Sequence, residues 1–370
     1  MDKLVGLRNY LAQKTYRWLI KPVFFLFAPE TIHDIMAIFL RFLGKSSLTR
    51  AIAYVSWGYS NKALAQDILG IHFKNPIGLS AGFDKNAQMI NIMPSLGFGF
   101  TEVGSITGMP CAGNPKPRLW RLKKSKSLAV YYGLKNDGCE AVSKRLSGKK
   151  FPLPVGISIA KTNSPETIAD DKAIADYFNA YMAFQNIGSY VTINISCPNA
   201  FGGQPFTDSA KLDSLLAKIM SVPKTKPIFI KISPDLNLEE IDRIVEVVYK
   251  YNIDGYICSN LTKNRDNIKI IDKNIPEKGG LSGKVVEGLS DNLIAYIYKK
   301  TGGKYVIIGV GGVFTAEDAY KKIKSGASLI QMITGMIFQG PQTVSSINLG
   351  LVGFLRKDGY KNISEAVGKH

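Results

Sequence analysis

From residue 76 onward two kinds of segment alternate eight times, and this rhythm limits the fold more than any motif does. Short β-rich runs occur at PIGLSA (76–81), FTEVGSI (100–106), PVGISIA (154–160) and YVTINIS (190–196). Four more follow at PIFIKIS (227–233), DGYICSN (254–260), YVIIGVGG (305–312) and SLIQMI (328–333). They are apolar almost throughout instead of alternating, as parallel strands covered on both faces are. Helical patterns follow them at about 87–96, 138–147, 171–187, 209–221, 238–251, 287–300, 315–325 and 341–356. Two of these open with capping-box signals, Asn237 with Glu240 and Thr315 with Asp318. Eight β runs, each followed by a helix, predict a closed (β/α)8 TIM barrel. A doubly wound open sheet fits less well, because no G-x-G-x-x-G opens the first unit. The stretch QDILGIHFKNP (66–76) predicts a small hairpin against the barrel floor.

Ahead of the barrel lies a different kind of sequence. PETIHDIMAIFLRFLGKSSLTRAIAYVSWG (29–58) starts a helix at Pro29-Glu30 and spaces Ile32, Ile35, Met36, Phe39, Leu40 and Leu43 helically. Arg41, Lys45 and Arg50 lie on its other surfaces, and Trp18 and Trp57 bracket the region. Cationic amphipathic helices with flanking aromatics predict peripheral membrane association. Lys21 and Pro22 interrupt the apolar run before them, so no spanning helix and no secretory signal is expected. The expected division is residues 1–60 as an N-terminal amphipathic helical subdomain and 61–370 as a catalytic barrel.

The 370 residues carry a formal net charge of +18, which suits nucleic acid, an anionic membrane or a small anionic substrate. No nucleic-acid motif and no long basic run accompanies it, so no nucleic-acid partner is expected. Cys111, Cys139, Cys197 and Cys258 form no C-x-x-C pair, and His33, His72 and His370 stand apart from any motif. That pattern predicts neither a metal site nor a disulfide framework, and histidines that are structural or exposed.

Barrel chemistry resides where strands end, and the strand ends here carry Lys85, Ser105, Ser158, Asn194, Cys197, Asn199, Lys231, Asn260 and Gly312. Lys231 interrupts an apolar strand and needs an anion or a polar cofactor edge to offset its desolvation. Glycines after the last two β runs, in VGGVFTAED and ITGMIFQGP, expose backbone N–H groups that suit a phosphate. In INISCPN (193–199), Asn194 and Asn199 suit the amide edges of a planar ring. Cys197 between them can serve as a general base if neighbouring lysines favour its thiolate, or can be a buried inert thiol. NAFGGQPFTDSA (199–210) has the composition of a mobile lid or of a static connection.

These segments resemble the dihydroorotate dehydrogenases over nearly the whole chain. The resemblance is carried by NPIGLSAGFDKNA, PKPRLWRL, INISCPN, IFIKISPDL, NIDGYICSN, GGLSGK, IIGVGGV and GASLIQMITG, while KPVFFLFAPETIHDIM is similar to the membrane-associated, quinone-dependent class. It implies a barrel that binds FMN, oxidises dihydroorotate to orotate in pyrimidine biosynthesis and passes electrons to a membrane quinone. It places FMN against Ala81, Gly82, Lys85, Ser105, Ser158, Asn194, Lys231, Ser259, Gly283, Gly312, Thr334 and Gly335. Substrate falls against Lys85, Gly133, Asn194, Asn199 and Asn260, and Cys197 stands at the base position. The expected location is the cytoplasmic face of a bacterial inner membrane, or the mitochondrial inner membrane in a eukaryote.

The chain also departs from the family pattern. Cys197 stands where the membrane-associated class ordinarily has serine, Val130 and Ser158 replace asparagines, and Leu261 replaces a threonine. A ring that loses a polar partner leaves a group unpaired, at a cost of ~1–3 kcal/mol. The alternative is therefore the same flavin barrel acting on a less polar dihydro-ring, unless Tyr131, Tyr132 or Lys135 compensates.

Overall fold

The computed structural model describes residues 2–369; His370 lies outside them. In chain order the strands begin with β1 (Gln66–Ile68), β2 (Ile71–Phe73), β3 (Ile77–Leu79), β4 (Phe100–Ile106), β5 (Leu119–Leu122) and β6 (Ser127–Val130). They continue with β7 (Val155–Ile159), β8 (Tyr190–Asn194), β9 (Ile228–Ile232), β10 (Gly255–Cys258), β11 (Gly280–Leu281), β12 (Val306–Val310) and β13 (Leu329–Met332). The order β3-β4-β7-β8-β9-β10-β12-β13 closes on itself, with every neighbouring pair parallel. This is the expected (β/α)8 barrel. Residues of β7, β8 and β9 are buried at every position, which is why their sequences do not alternate: one face meets the barrel interior and the other the helices.

The barrel interior is stratified. At its floor Phe73, Phe100, Tyr190, Phe229, Ile257, Ile308 and Leu329 form a separate apolar cluster. Phe73 comes from the β1–β2 hairpin and meets Phe100 edge-on, with ring centres 5.4 Å apart, so the hairpin plugs the floor as expected. Gly156 leaves room for Tyr190, since a Cβ there would lie 2.1 Å from the Tyr190 ring. Above the floor is a polar layer: Glu102 Oε2 accepts from Tyr190 OH, Thr192 Oγ1 and Gln331 Nε2 at 3.2, 3.0 and 2.9 Å. The site opens above that layer.

Two elements differ from the sequence reading. The segment expected as a helix over 87–96 is a 3-10 stretch, Ile90–Leu96, because Pro94 removes an N–H and disfavours an α conformation at Met93. Between β4 and β7 the chain inserts a hairpin, β5–β6, to which β11 adds a third antiparallel strand. This small sheet buries Leu122, Ala129 and Leu281 against Val285 and stands over the barrel mouth. The remaining helices lie close to their expected places, and both capping boxes, at Asn237 and Thr315, are formed.

The N-terminal segment forms α1 (Asp2–Thr15), a π-helical turn, α2 (Lys21–Phe24), α3 (Pro29–Leu43) and α4 (Ser47–Trp57). Along α3 there are two apolar stripes. Ala37, Leu40 and Leu43 pack on the barrel, while Ile35, Ile38, Phe39 and Phe42 face outward, Ile38 at 71% exposure. Glu30 at the start of α3 pairs with buried Arg118 at 2.7 Å, fastening the helix to the mouth sheet. Trp57 packs inward against the main core, so Trp18 is the aromatic that faces out. Among the described residues no helix is long and apolar enough to cross a membrane.

Phe73→Ala empties the floor without touching the mouth, and is expected to cost ~3–5 kcal/mol. A urea midpoint within error of wild type would contradict the sealing role given to the hairpin.

Candidate active site

A cavity opens at the C-terminal ends of the strands, its walls drawn from the strand ends and from the small sheet over the mouth. Ala81, Gly82 and Lys85 follow β3, Ser105 ends β4, and Asn194, Cys197 and Asn199 follow one another at the end of β8. Lys231 projects from β9, Ser259 and Asn260 follow β10, Gly312 follows β12, and Thr334 and Gly335 follow β13. Gly133 and Gly283 come from the flanks of the mouth sheet. One residue expected in the site, Ser158, does not line the cavity; it is fully buried behind Ser105, with the two hydroxyl oxygens 2.7 Å apart.

Hydrogen bonds join these side chains across four strands. Asn194 Nδ2 donates to Ser105 Oγ at 2.8 Å, and Asn194 Oδ1 accepts from Ser196 N–H and from Asn260 Nδ2. Asn260 Nδ2 also reaches the Ser196 carbonyl at 2.8 Å. Asn199 donates to the Val130 carbonyl at 2.8 Å, so the main chain of Val130 takes part although its side chain is apolar. The network fixes amide orientation around an otherwise apolar chamber.

The charges are more exceptional. Lys231 is 4% exposed, and among the described residues no group hydrogen-bonds its Nζ. Burial pushes its pKa down, opposed by Glu102 beneath it. Lys85 is pushed down to about 8, chiefly by burial. Its Nζ lies 4.0 Å from the centre of the Tyr132 ring and 3.3 Å from His33 Nε2. That nitrogen is also 3.0 Å from the Phe83 carbonyl, so it donates to Phe83 or accepts from Lys85. Lysines do favour a Cys197 thiolate, as expected, but burial outweighs them. Burial is the largest influence and raises its pKa, while the Asn199 N–H, Lys161 and Lys263 act in the opposite direction. The resting group at neutral pH is a thiol.

Toward β12 and β13 the lining becomes backbone. Gly312 takes φ 75° and a Cβ there would lie 2.3 Å from Glu287 Cβ, so only glycine fits. The N–H groups of Gly312 and Val313 have no backbone acceptor among the described residues, and the first turn of the helix Thr334–Gln339 adds its own unpaired N–H groups.

Sequence reasoning missed three lining residues, His33, Ser282 and Gln331. His33 stands apart from any motif in the sequence, yet α3 turns it inward onto Phe83. Ser282 follows β11 of the mouth sheet, beside Tyr132, which the sequence offers as a compensating side chain. Gln331 interrupts an apolar strand as Lys231 does, so the same signal could have found it; its Oε1 is buried without a partner.

Comparison with known proteins agrees with this geometry. Residues 63–355 match the family model described as dihydroorotate dehydrogenase. A "Dihydroorotate dehydrogenase (quinone)" of Parvibaculum lavamentivorans is 39% identical over 95% of this chain and 97% of its own length. One from Trichormus variabilis is 37% identical over 95% and 98%. Among solved structures, ligand-free DHODH from Eimeria tenella superposes with a TM-score of 0.82 at 30% identity, covering 92% of this chain and 99% of that one. The same protein in complex with ferulenol gives 0.80, covering 92% and 95%.

Proposed function

The chain belongs to the dihydroorotate dehydrogenase family, and on that premise we propose that it oxidises dihydroorotate to orotate at a bound flavin and delivers the electrons to a quinone. The observation that carries the reading is one cavity that gathers a partnerless ammonium, a thiol and a cradle of free backbone N–H groups. Relatives named for this reaction do not favour the alternative of a less polar ring.

The flavin of this reading is FMN. Lys231 Nζ and Gln331 Oε1, both without protein partners, match the polar edge of an isoalloxazine ring. Gly283, Gly312, Thr334 and Gly335 offer the backbone donors a terminal phosphate needs. Ala81, Gly82 and Ser105 would border the ring, Ser259 would flank it, and Ser158 would act through Ser105. Bound there, the flavin would accept the hydride that leaves C6 of dihydroorotate.

Substrate fits between Lys85, Gly133, Asn194, Asn199 and Asn260. The Lys85 ammonium attracts its carboxylate, and the amides hold its ring. Cys197 takes the C5 proton, for which it must first become a thiolate. The missing asparagine at Val130 is offset by Asn199, which is held in place by the Val130 carbonyl.

Residues 1–60 form the membrane-facing part in this reading and 61–370 the barrel. Trp18, Leu26, Ile38 and Val55 are between 71% and 82% exposed, an apolar surface with Arg41 and Arg50 on the helices of Ile38 and Val55 and Lys45 in the turn between them. The site's His33 lies on the inner side of this layer, which makes the helices the route by which a quinone approaches. Peripheral attachment at the membrane that carries the quinone pool follows.

Cys197→Ala is expected to retain its flavin but reduce it ~10²-fold more slowly with dihydroorotate in stopped-flow mixing; wild-type rates would remove Cys197 from the base role. Lys85 is charged below about pH 8 and neutral above it, so orotate affinity should fall as pH rises through that value, by about tenfold per unit at most. Titration through the flavin spectrum measures this, and a flat profile would contradict the ion pair. Leu26→Glu combined with Ile38→Glu should abolish co-sedimentation with anionic vesicles while leaving flavin reduction unchanged. Undiminished sedimentation would disprove the membrane face.

A further inference from the structure

Lys161, just past the end of β7, is 3% exposed and has no part in the reaction described so far. No carboxylate lies within salt-bridge distance of it among the described residues. Asp176, on the helix Asp170–Ala183, is the acid that influences it, but that carboxylate is already occupied. It accepts from Thr162 N–H at 2.6 Å, Thr162 Oγ1 at 2.8 Å and Gly108 N–H at 3.4 Å. Lys161 Nζ instead donates to two carbonyls, Phe201 at 2.6 Å and Thr167 at 3.3 Å. Phe201 belongs to the loop that leaves Cys197.

The same peptide is held from its other side. Asn163 Oδ1 accepts from Phe201 N–H at 2.7 Å, and Asn163 Nδ2 reaches Asn114 Oδ1 and the Gly133 carbonyl in the cavity wall. The Phe201 side chain is half exposed, so this peptide is fastened by polar contacts to its backbone, while Phe206 further along the loop packs edge-on against Tyr177. Beneath it is a second small space, bounded by Lys161 and Cys197 together with Tyr177, Ala200 and Phe206.

We propose that Lys161 is a positioning residue for proton abstraction: its grip on the Phe201 carbonyl brings an ammonium without a carboxylate partner to the far side of Cys197, so that closing the loop and stabilising the thiolate are one event. This rests on the reading of Cys197 as the base. Both charges are costly alone in this surrounding, and each offsets the other's desolvation. Cys197 is faced also by Lys231 of β9, by Lys263 beyond β10, by Cys111 and by Tyr177. Lys231 is directed at the cavity and Tyr177 donates to the Asn194 carbonyl at 2.7 Å. Lys161 is the cation whose place depends on the loop.

The test uses full-length, flavin-loaded protein. Two midpoints are measured against pH: alkylation of Cys197 by iodoacetamide, read on its own peptide by mass spectrometry, and flavin reduction by dihydroorotate. Lys161→Met should raise both by about one unit, tenfold less thiolate at a given pH, with flavin content unchanged, and Lys161→Arg should restore most of the shift. Unmoved midpoints in Lys161→Met would overturn the proposal. Cys197→Ala at wild-type reduction rates would instead defeat the base reading, while the alkylation midpoint would still report on Lys161. If Lys161→Met fails to fold, Asn163→Ala loosens the loop with the charge retained. It should raise the alkylation midpoint and the KM for dihydroorotate, and no change in either would equally overturn the proposal.

Discussion

Lys231 stands in a strand whose other members are isoleucine and phenylalanine, and its ammonium finds no acceptor among the described residues. A buried charge of this kind has a desolvation cost that something entering the barrel must offset. The rest of the mouth is arranged on the same terms. Glu102 supplies a carboxylate from the layer below, Gln331 leaves an oxygen unpaired beside it, and glycines after β12 and β13 leave N–H groups without acceptors. Each is a polar group that the FMN proposed above would satisfy.

The two ends of the barrel interior divide the work. Aromatic rings close the floor, where only stability is at stake, and polar groups accumulate toward the mouth, where ligands bind. The N-terminal helices extend this gradient outward. Their inner stripe packs on the barrel and brings His33 to Lys85, while their outer stripe offers apolar side chains to whatever lies beyond. The Glu30–Arg118 pair ties that apolar layer to the sheet over the mouth.

What could be read from the sequence followed from burial. The eight parallel strands were legible because both their faces are covered, which leaves continuous apolar runs, and polar intruders such as Lys231 stood out against them. The lost helix over 87–96 shows the limit of periodicity, since one proline at 94 decides the backbone. The sheet of β5, β6 and β11 was hidden because β11 is two residues long and lies far along the chain from its partners. His33 was illegible for a similar reason: nothing local says which side of α3 meets the barrel. The lysines that favour the Cys197 thiolate are visible in a sequence, while the desolvation that outweighs them is not. The residues expected in the site otherwise converge on one cavity, with Ser158 one step behind it.

Anaerobic addition of dihydroorotate to the purified protein tests the central claim most directly. If the mouth of the barrel holds a flavin beside a proton acceptor, the visible absorbance of the bound cofactor should bleach at one equivalent and return on adding a quinone. Protein that carries no flavin and takes up none, or whose flavin keeps its colour through excess dihydroorotate, would contradict the account.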